Sequence, residues 1–367
     1  MFGQEHYVPI LKWKTAERQA LKELAAQLKG KERKLITPLV RLVMPSPKAQ
    51  KNPAQQKTRE EQLDEVVATL RTRLAVIPGE MLDAWGVDPL FVDVSMLYTP
   101  ALRNESMRRI LATGETLKMS LIPVVDLSSD SEVGKASCAL AKQFGHGLCL
   151  RLVRAQFRSF QELIKQLDAF VAACRLPVNQ IDLLVDLKED NHNEYLATLE
   201  SAQRIPNLMS WRTFILASGA FPVDLTGCKV DQKNEIPRID WKNWLRQRAM
   251  KLRRHPSFAD YTIQHPVYKE SAQFFTPSAS IRYTLKDEWL VMRGQRGKSQ
   301  QYLANARILS ELPEYKGFGE GFSYGDAQIK LKGADLKSKR TGNPTTWLVV
   351  GINHHLACVT SQIATLS

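Results

Sequence analysis

The segment from Ser210 to Pro222 reads SWRTFILASGAFP. Its apolar run is short, and Ser218, Gly219 and Pro222 punctuate its end. Such a run is typical of a buried β-strand that leads directly into a tight loop. If similar units close into a parallel barrel, this loop lies on the rim where such barrels keep their ligand sites.

Seven further apolar runs flank this segment, and helical patterns separate them. The eight predicted strands are Tyr7–Leu11, Ile36–Val43, Leu90–Ser95, Leu121–Leu127, Leu148–Arg154, Ile181–Leu187, Ser210–Pro222 and Tyr261–Pro266. Continuous apolar strands indicate a sheet that is covered on both faces, and their alternation with helices indicates a parallel α/β fold. Eight such units favour a TIM-like (β/α)8 barrel over an open doubly wound sheet. No G-x-G-x-x-G motif follows the first run, which argues against a dinucleotide-binding fold.

The sequence changes character after about residue 275. Ser280–Thr284 and Glu288–Arg293 predict a β-hairpin, and a glycine-rich stretch over Gly317–Asp326 follows them. We therefore expect a barrel over residues 1–274 and a C-terminal extension of mixed character over residues 275–367 that packs on it. His354 and His355 would point to opposite sides of a strand, so at most one could join a site.

The overall charge favours a polyanionic partner. The chain has 367 residues, with 51 Lys and Arg against 38 Asp and Glu, a formal net charge of +13. This excess suits nucleic acid or a nucleotide, although an ordinary solvated basic surface explains it as well. No apolar run approaches the roughly 18 residues of a membrane span, and the N-terminus lacks a signal-peptide pattern. The five cysteines contain no C-x-x-C pair. We expect a cytoplasmic protein with cysteines in its core.

Carboxylates stand near the ends of three predicted strands, at Asp93, Asp126 and Asp186. A parallel barrel gathers its strand ends on one rim, where such groups could share Mg²⁺ or act as acid and base. His265, at the end of the eighth predicted strand, is a candidate general base. The alternative is that each aspartate caps a loop or a helix, and that the histidine is structural.

Cations also stand at strand ends, and unpaired cations are rarely buried. The candidate phosphate-binding residues are Lys12, Lys14, Arg41, Arg151, Ser218, Gly219 and, from the extension, Arg282. A ring of structural salt bridges is the alternative. We expect one ligand-sized cavity to gather Lys12, Arg41, Asp93, Arg151, Asp186, Ser218 and His265.

A basic helix is predicted from Trp241 to Arg254. Arg246, Lys251 and Arg254 flank its apolar stripe and could bind the phosphate backbone of a nucleic acid. An outer helix with a solvated basic face would have the same sequence pattern. The sequence has no H-E-x-x-H, P-loop or G-x-S-x-G motif, so nothing indicates a zinc protease, a P-loop NTPase or a serine hydrolase of that type.

Several short stretches together resemble the phage "beta" protein family, which occurs in phages, prophages and mobile islands of bacterial genomes. The matching stretches are Tyr7–Lys14, Ala217–Pro222, Tyr261–Pro266, Ser280–Thr284, Phe322–Asp326, Gly342–Pro344 and Asn353–Leu356. They span nearly the whole chain in the expected order. The second strand departs from the family pattern at Arg41, where an acidic residue is expected.

The resemblance implies a part in phage–host conflict, in defence or counter-defence, and it carries no defined activity. Together with the charge, it leads us to expect a protein that binds a phosphate-bearing partner such as nucleic acid or a nucleotide. Two alternatives remain: a metal-dependent phosphodiesterase that uses Asp93, Asp126 and Asp186, or an interaction module that senses or sequesters a phage or host protein.

Overall fold

Eight parallel strands close into a barrel in the computed structural model, which describes residues 2–46, 57–127, 131–190, 192–267 and 277–366. The barrel strands are β1 (Tyr7–Lys12), β2 (Leu39–Arg41), β3 (Leu90–Asp93), β4 (Leu121–Asp126), β5 (Leu148–Val153), β6 (Ile181–Glu189), β7 (Thr213–Gly219) and β9 (Ser257–Asp260). Each pairs with its neighbours in parallel, and β9 pairs with both β7 and β1. The predicted (β/α)8 barrel is confirmed.

The last barrel strand differs from its predicted position. Residues 261–266 form turns at the barrel end, and the strand is Ser257–Asp260 instead. Its two polar residues are satisfied inside the fold: the Ser257 hydroxyl donates to the Gly3 carbonyl at 2.7 Å, and Asp260 accepts from Tyr7 at 2.7 Å. This strand therefore carries little of the apolar signal that marks the other seven.

Helices surround the barrel. They are α1 (Thr15–Gln27), α2 (Gly30–Arg33), α3 (Arg59–Arg73), α4 (Ile77–Trp85), α5 (Pro100–Thr116), α6 (Ser131–Phe144), α7 (Phe160–Cys174), α8 (His192–Ala202) and α9 (Ile239–Gln247). A capping box precedes α3: the Thr58 hydroxyl accepts a hydrogen bond from the Glu61 amide, and the Glu61 carboxylate accepts one from the Thr58 amide. Between barrel and helices lies the larger part of the apolar core.

The barrel interior has an apolar middle and a charged end. Alternate residues of each strand point inward, and Val8, Leu39, Phe91, Leu184 and Ile215 belong to the cluster that fills the middle. Strand register then sets Lys12 beside Arg41, Arg41 beside Asp93, and Asp126 beside Arg151 at the end where the strands finish. We call this end the barrel mouth.

The C-terminal part contains a three-stranded antiparallel sheet in the order β10 (Ile281–Thr284), β11 (Glu288–Arg293), β8 (Gln232–Pro237). The predicted hairpin is therefore present, and its third strand comes from the segment between β7 and α9. Four helices follow, α10 (Gln301–Glu311), α11 (Pro313–Phe318), α12 (Tyr324–Ala334) and α13 (Pro344–Ala364). The last of these packs against α1, α12 and β10. The division at residues 274 and 275 stays a prediction.

His354 and His355 lie on α13 rather than on a strand, and both are fully buried. His354 pairs with Asp326 at 2.9 Å, and Asp326 also accepts from the Tyr283 and Ser323 hydroxyls at 2.7 and 2.6 Å. His355 Nε2 lies 2.7 Å from Asp260, whose other oxygen accepts from Tyr7. Four of the stretches that carry the family resemblance thus contribute to buried polar clusters around α13, namely Tyr7–Lys14, Ser280–Thr284, Phe322–Asp326 and Asn353–Leu356. Neither histidine contacts His265 in the described part of the chain.

All five cysteines are buried, as expected for core residues. Cys138 of α6 and Cys174 of α7 form a disulfide with their Cα atoms 5.3 Å apart, and the other three are free thiols. Within the described residues, no helix is both long enough and apolar enough to cross a membrane.

Candidate functional site

An aspartate between two arginines organises one side of the barrel mouth. Asp93 Oδ2 accepts from Arg151 Nη1 at 2.6 Å and from Arg41 Nε at 3.1 Å. Its other oxygen accepts from the Ser95 amide at 2.8 Å, and the Ser95 hydroxyl lies 2.8 Å from Arg151 Nη2. Burial by itself would raise the pKa of Asp93, but Arg151 and Arg41 outweigh burial and hold this pKa well below its usual value.

A second cluster, on the β6 side, joins Asp186, Lys188 and Tyr261. The Tyr261 hydroxyl donates to Asp186 Oδ1 at 2.6 Å, while Lys188 Nζ lies 2.6 Å from Asp186 Oδ2 and 3.0 Å from the Tyr261 oxygen. Burial favours the neutral forms, and it lowers the pKa of Lys188 and raises that of Tyr261. Sequence reasoning found Asp186, but it missed both partners.

The backbone is strained at this cluster. Lys188 has a φ of 62° at an irregularity in the β6–β7 pairing, and Thr262, directly after Tyr261, has a φ of 58°. Left-handed conformations are uncommon for residues other than glycine, and a β-branched residue such as Thr262 is an outlier there. Strain of this kind is often found at functional sites, so two such residues beside one cluster make this side of the mouth a candidate site.

Gly219 lets the chain close over Tyr261. A Cβ atom on Gly219 would lie 3.0 Å from Tyr261 Cδ2 and 3.2 Å from Pro266 Cδ. The candidate loop residue Gly219 is therefore in the mouth, where it allows a close approach. Its neighbour Ser218 is not: strand alternation turns its hydroxyl outward, 3.1 Å from Asp190, so its predicted place in the cavity is wrong.

A small cavity opens at the mouth beside β1. Its lining includes Lys12, Glu17, Arg41, Tyr261 and His265. The space is only about 10 Å³, which suits one water molecule rather than an organic ligand. Of the seven residues that we expected to share one ligand-sized cavity, three line it: Lys12, Arg41 and His265. Asp93, Arg151 and Asp186 instead pack against their partners, so the expected pocket is not formed.

Lys12 has the most unusual electrostatic environment in this cavity. Its pKa is lowered to about 8, chiefly by burial and to a smaller extent by Lys14, Arg41 and Arg282, while Glu17 opposes the shift. An ammonium group with this pKa is half deprotonated at about pH 8, and an anion beside it would favour the charged form. Lys14, also a candidate phosphate-binding residue, lies outside the lining of this cavity.

Each of the three predicted aspartates lies against a cation at the mouth. Asp93 and Asp186 are held by cations, and Asp126 Oδ2 lies 3.5 Å from Arg151 Nη2. Over the described ranges, no group of three or more His, Cys, Asp or Glu side chains could hold a metal ion. The shared Mg²⁺ site is therefore not formed by these aspartates, because each carboxylate is already matched to a cation.

His265 and Arg282 lie at the margin of the mouth. His265 Nε2 is 3.4 Å from Glu189 Oε1, and its Nδ1 accepts from the Val267 amide at 3.2 Å. Arg282 Nη1 donates to the Ile263 carbonyl at 2.7 Å, and its side chain lines a different cavity. Arg282, a candidate phosphate-binding residue in the sequence, therefore does not line the mouth cavity.

The basic helix is shorter than predicted. α9 ends at Gln247, where the amides of the next residues turn back to carbonyls three positions earlier. Arg246 and Lys251 are exposed, in agreement with a surface that could meet a phosphate backbone. Arg254 is not available for that role, since it donates to the carbonyls of Leu208 and Trp211 at 2.8 and 2.7 Å. These contacts place it near the start of β7, opposite the mouth.

Comparison with known proteins identifies the family. The model of the Beta protein family matches residues 7–361. The chain belongs to this family. No curated protein matches this chain. Among solved structures, it is similar in fold to type I 3-dehydroquinate dehydratase from Clostridium difficile with covalently modified comenic acid. The sequence identity is 11%, the match covers 72% of this chain and 87% of that one, and the TM-score is 0.40.

Proposed function

We propose that this beta family protein binds a phosphate-bearing partner, a nucleotide or nucleic acid, at the mouth of its barrel. The observation that carries the proposal is a set of four cationic side chains, Lys12, Arg41, Arg151 and Lys188, which four different strands bring to one end. The mouth of a parallel barrel is also where such folds place their ligands.

Carboxylates at the mouth hold three of these cations in place. Arg41 and Arg151 both contact Asp93, Arg151 also lies 3.5 Å from Asp126, and Lys188 is matched to Asp186. Beside them, Lys12 lines the cavity with Arg41. A phosphate oxygen at this point would offset the mutual repulsion of the two side chains and accept hydrogen bonds from both. Because the cavity is small, the rest of the ligand would lie outside it, above the mouth.

Calorimetric titration tests this proposal. Inorganic phosphate, a nucleoside triphosphate and a short single-stranded DNA would be titrated at several salt concentrations. Lys12→Met should weaken binding by about 10- to 100-fold, the worth of one charge-assisted hydrogen bond. Lys142→Met, on the exposed face of α6, is the matched control and should bind as the wild type does. Unchanged binding by the folded Lys12 variant would contradict the proposal.

Catalysis is the second candidate function, and the Asp186–Lys188–Tyr261 cluster favours it. Its polar contacts link the Tyr261 phenol, the Lys188 ammonium and the Asp186 carboxylate. Lys188 itself and Thr262, which follows Tyr261, have a left-handed backbone conformation. Such a cluster could move a proton during phosphodiester cleavage. Turnover of a phosphodiester that is lost in a folded Tyr261→Phe variant would support this function. A wild-type protein without turnover, with and without Mg²⁺, would remove it.

The biological setting that we propose is phage–host conflict in the cytoplasm, where nucleotides and nucleic acid are accessible. Its support is the family resemblance. Phage plating on cells that carry the wild-type gene or the Lys12→Met variant tests it. An effect on plating that needs Lys12 supports the nucleotide-binding role. An effect that survives the substitution favours an interaction module that senses or sequesters a protein.

A further inference from the structure

A second cavity lies where the three-stranded sheet meets the first turn of α13. Its volume is about 310 Å³, and it shares no lining residue with the cavity at the barrel mouth. Residues 223–226, the ends of β10 and β11, and Tyr302 of α10 contribute to its wall. Cavities of this size are in the range that binds small organic molecules.

The charges around this cavity are unbalanced. Three arginines line it, Arg282, Arg293 and Arg296, and among the described residues of the lining Asp224 is the only carboxylate. The Asp224 side chain is engaged locally, since Oδ1 accepts from the Thr226 amide at 2.8 Å and from the Thr226 hydroxyl at 2.5 Å. The lining thus carries two more positive than negative charges.

Two of the arginines contact neutral groups. Arg282 Nη1 donates to the Ile263 carbonyl at 2.7 Å, and its guanidinium carbon lies 4.7 Å from the centre of the Phe221 ring. Arg293 donates from Nη1 to the carbonyls of Thr226 and Cys228. The Nε atom of Arg293 is buried, and no described residue accepts a hydrogen bond from it.

Burying guanidinium groups against neutral partners is costly, because desolvation is not offset by an opposite charge. The cost is visible at Arg282, where burial lowers the pKa to about 10. An oxyanion in the cavity would supply the missing charge and accept several N–H bonds in the geometry that guanidinium groups favour.

The rest of the wall suits an organic group. Val223, Leu225 and Leu348 give it an apolar side, and the hydroxyls of Ser278 and Ser280, 2.7 Å apart, give it a polar one. Pro344, in the first turn of α13, also lines the cavity, and the positive end of that helix dipole favours an anion nearby.

We propose that this cavity binds a phosphate monoester of a small organic molecule, with the phosphate on the arginines and the organic group against the apolar side. The proposal does not depend on the function proposed for the barrel mouth, since the two cavities have different walls.

Calorimetry of the full chain tests it, with adenosine monophosphate and inorganic phosphate as probes. Adenosine monophosphate should bind at least about tenfold more tightly than phosphate, because the organic group adds contacts. Arg296→Glu, at an exposed position, should weaken this binding at least about tenfold. Lys298→Glu makes the same charge change two residues away, outside the cavity lining, and should alter binding less than about twofold. Arg282→Lys keeps the positive charge but loses the planar set of N–H donors of the guanidinium group, so it should weaken binding as well.

Four results would overturn the proposal. The first is wild-type affinity in both folded arginine variants. The second is an equal loss in Lys298→Glu, which would show an effect of net charge alone. The third is equal affinity for phosphate and adenosine monophosphate. Loss of nucleotide binding in Lys12→Met but not in Arg296→Glu would assign the nucleotide to the barrel mouth and would also overturn the proposal.

Discussion

The Asp93→Asn substitution tests the charge network of the barrel mouth. Asp93 is fully buried and accepts hydrogen bonds from Arg151 at 2.6 Å and from Arg41 at 3.1 Å. The amide leaves two buried guanidinium groups without the carboxylate that they share. Breaking a buried ion pair on one side costs about 3–5 kcal/mol. Urea denaturation at pH 7 should therefore show a loss of unfolding free energy of that size.

The same substitution has a defined pH dependence. Since the folded state holds the pKa of Asp93 well below 3.8, the stabilisation is complete above that value and is lost as the pH falls through the lower folded pKa. The wild-type and variant stabilities should converge on acidification. Asp83→Asn is the matched control: this exposed carboxylate lies 2.8 Å from Lys22, and such pairs contribute less than about 1 kcal/mol. Equal losses in the two variants, or a difference that does not change with pH, would refute the reasoning.

Three further predictions concern other buried or strained positions. Burial and the charge of a neighbouring carboxylate raise the pKa of Asp240 to about 7. The unfolding free energy should therefore fall as the pH rises from 3.8 to 7, and urea denaturation should show a smaller fall in the Asp240→Asn variant. Gly219→Ala should lower the unfolding free energy measured by thermal denaturation by about 1–3 kcal/mol, because its Cβ would lie 3.0 Å from the Tyr261 ring. Gly227→Ala is the control and should lower it less, because a Cβ there meets nothing within 4 Å. Arg254→Glu should destabilise the fold, since it removes donors from buried carbonyls, while Arg246→Glu should reduce DNA retention on a column without unfolding the protein.

Most of the barrel could be predicted because its strands are buried on both faces. Leu148–Val153 illustrates this: the run is apolar apart from one arginine, and the strand pairs with β4 and β6 inside the closed sheet. Strand β8 gave no such signal. Gln232–Pro237 is largely exposed at the edge of the second sheet, so burial imposes no apolar pattern on it.

We considered His354 and His355 as neighbours on a strand, although they lie on a helix. Trp347 to Ile352 is rich in β-branched residues, which suit a strand. The helix start was nevertheless present in the sequence, because Asn343 is a favourable N-cap and Pro344 fits the first helical position. In the structure, the Asn343 side chain accepts from the Thr346 amide at 2.9 Å.

The candidate site could be predicted only in part, because strand ends are visible in a sequence and side-chain partners are not. The positions of Lys12, Arg41, Asp93 and Arg151 at one end follow from strand direction alone. Lys188 could not be found this way, since it reaches the mouth through a left-handed backbone at an irregular strand pairing. The predicted place of Ser218 in the cavity was wrong for a related reason: a shift of one residue along a strand reverses the side that the residue faces.

The most direct test of an anion site at the mouth is the titration of the Lys12 amine by nuclear magnetic resonance, with and without a bound nucleotide. In the free protein, the pKa should be about 8, because the group is buried among cations. A phosphate beside the amine stabilises its charged form, so the pKa should rise toward 10.5 when the nucleotide binds. A Lys12 pKa that stays unchanged in the saturated complex would contradict the account.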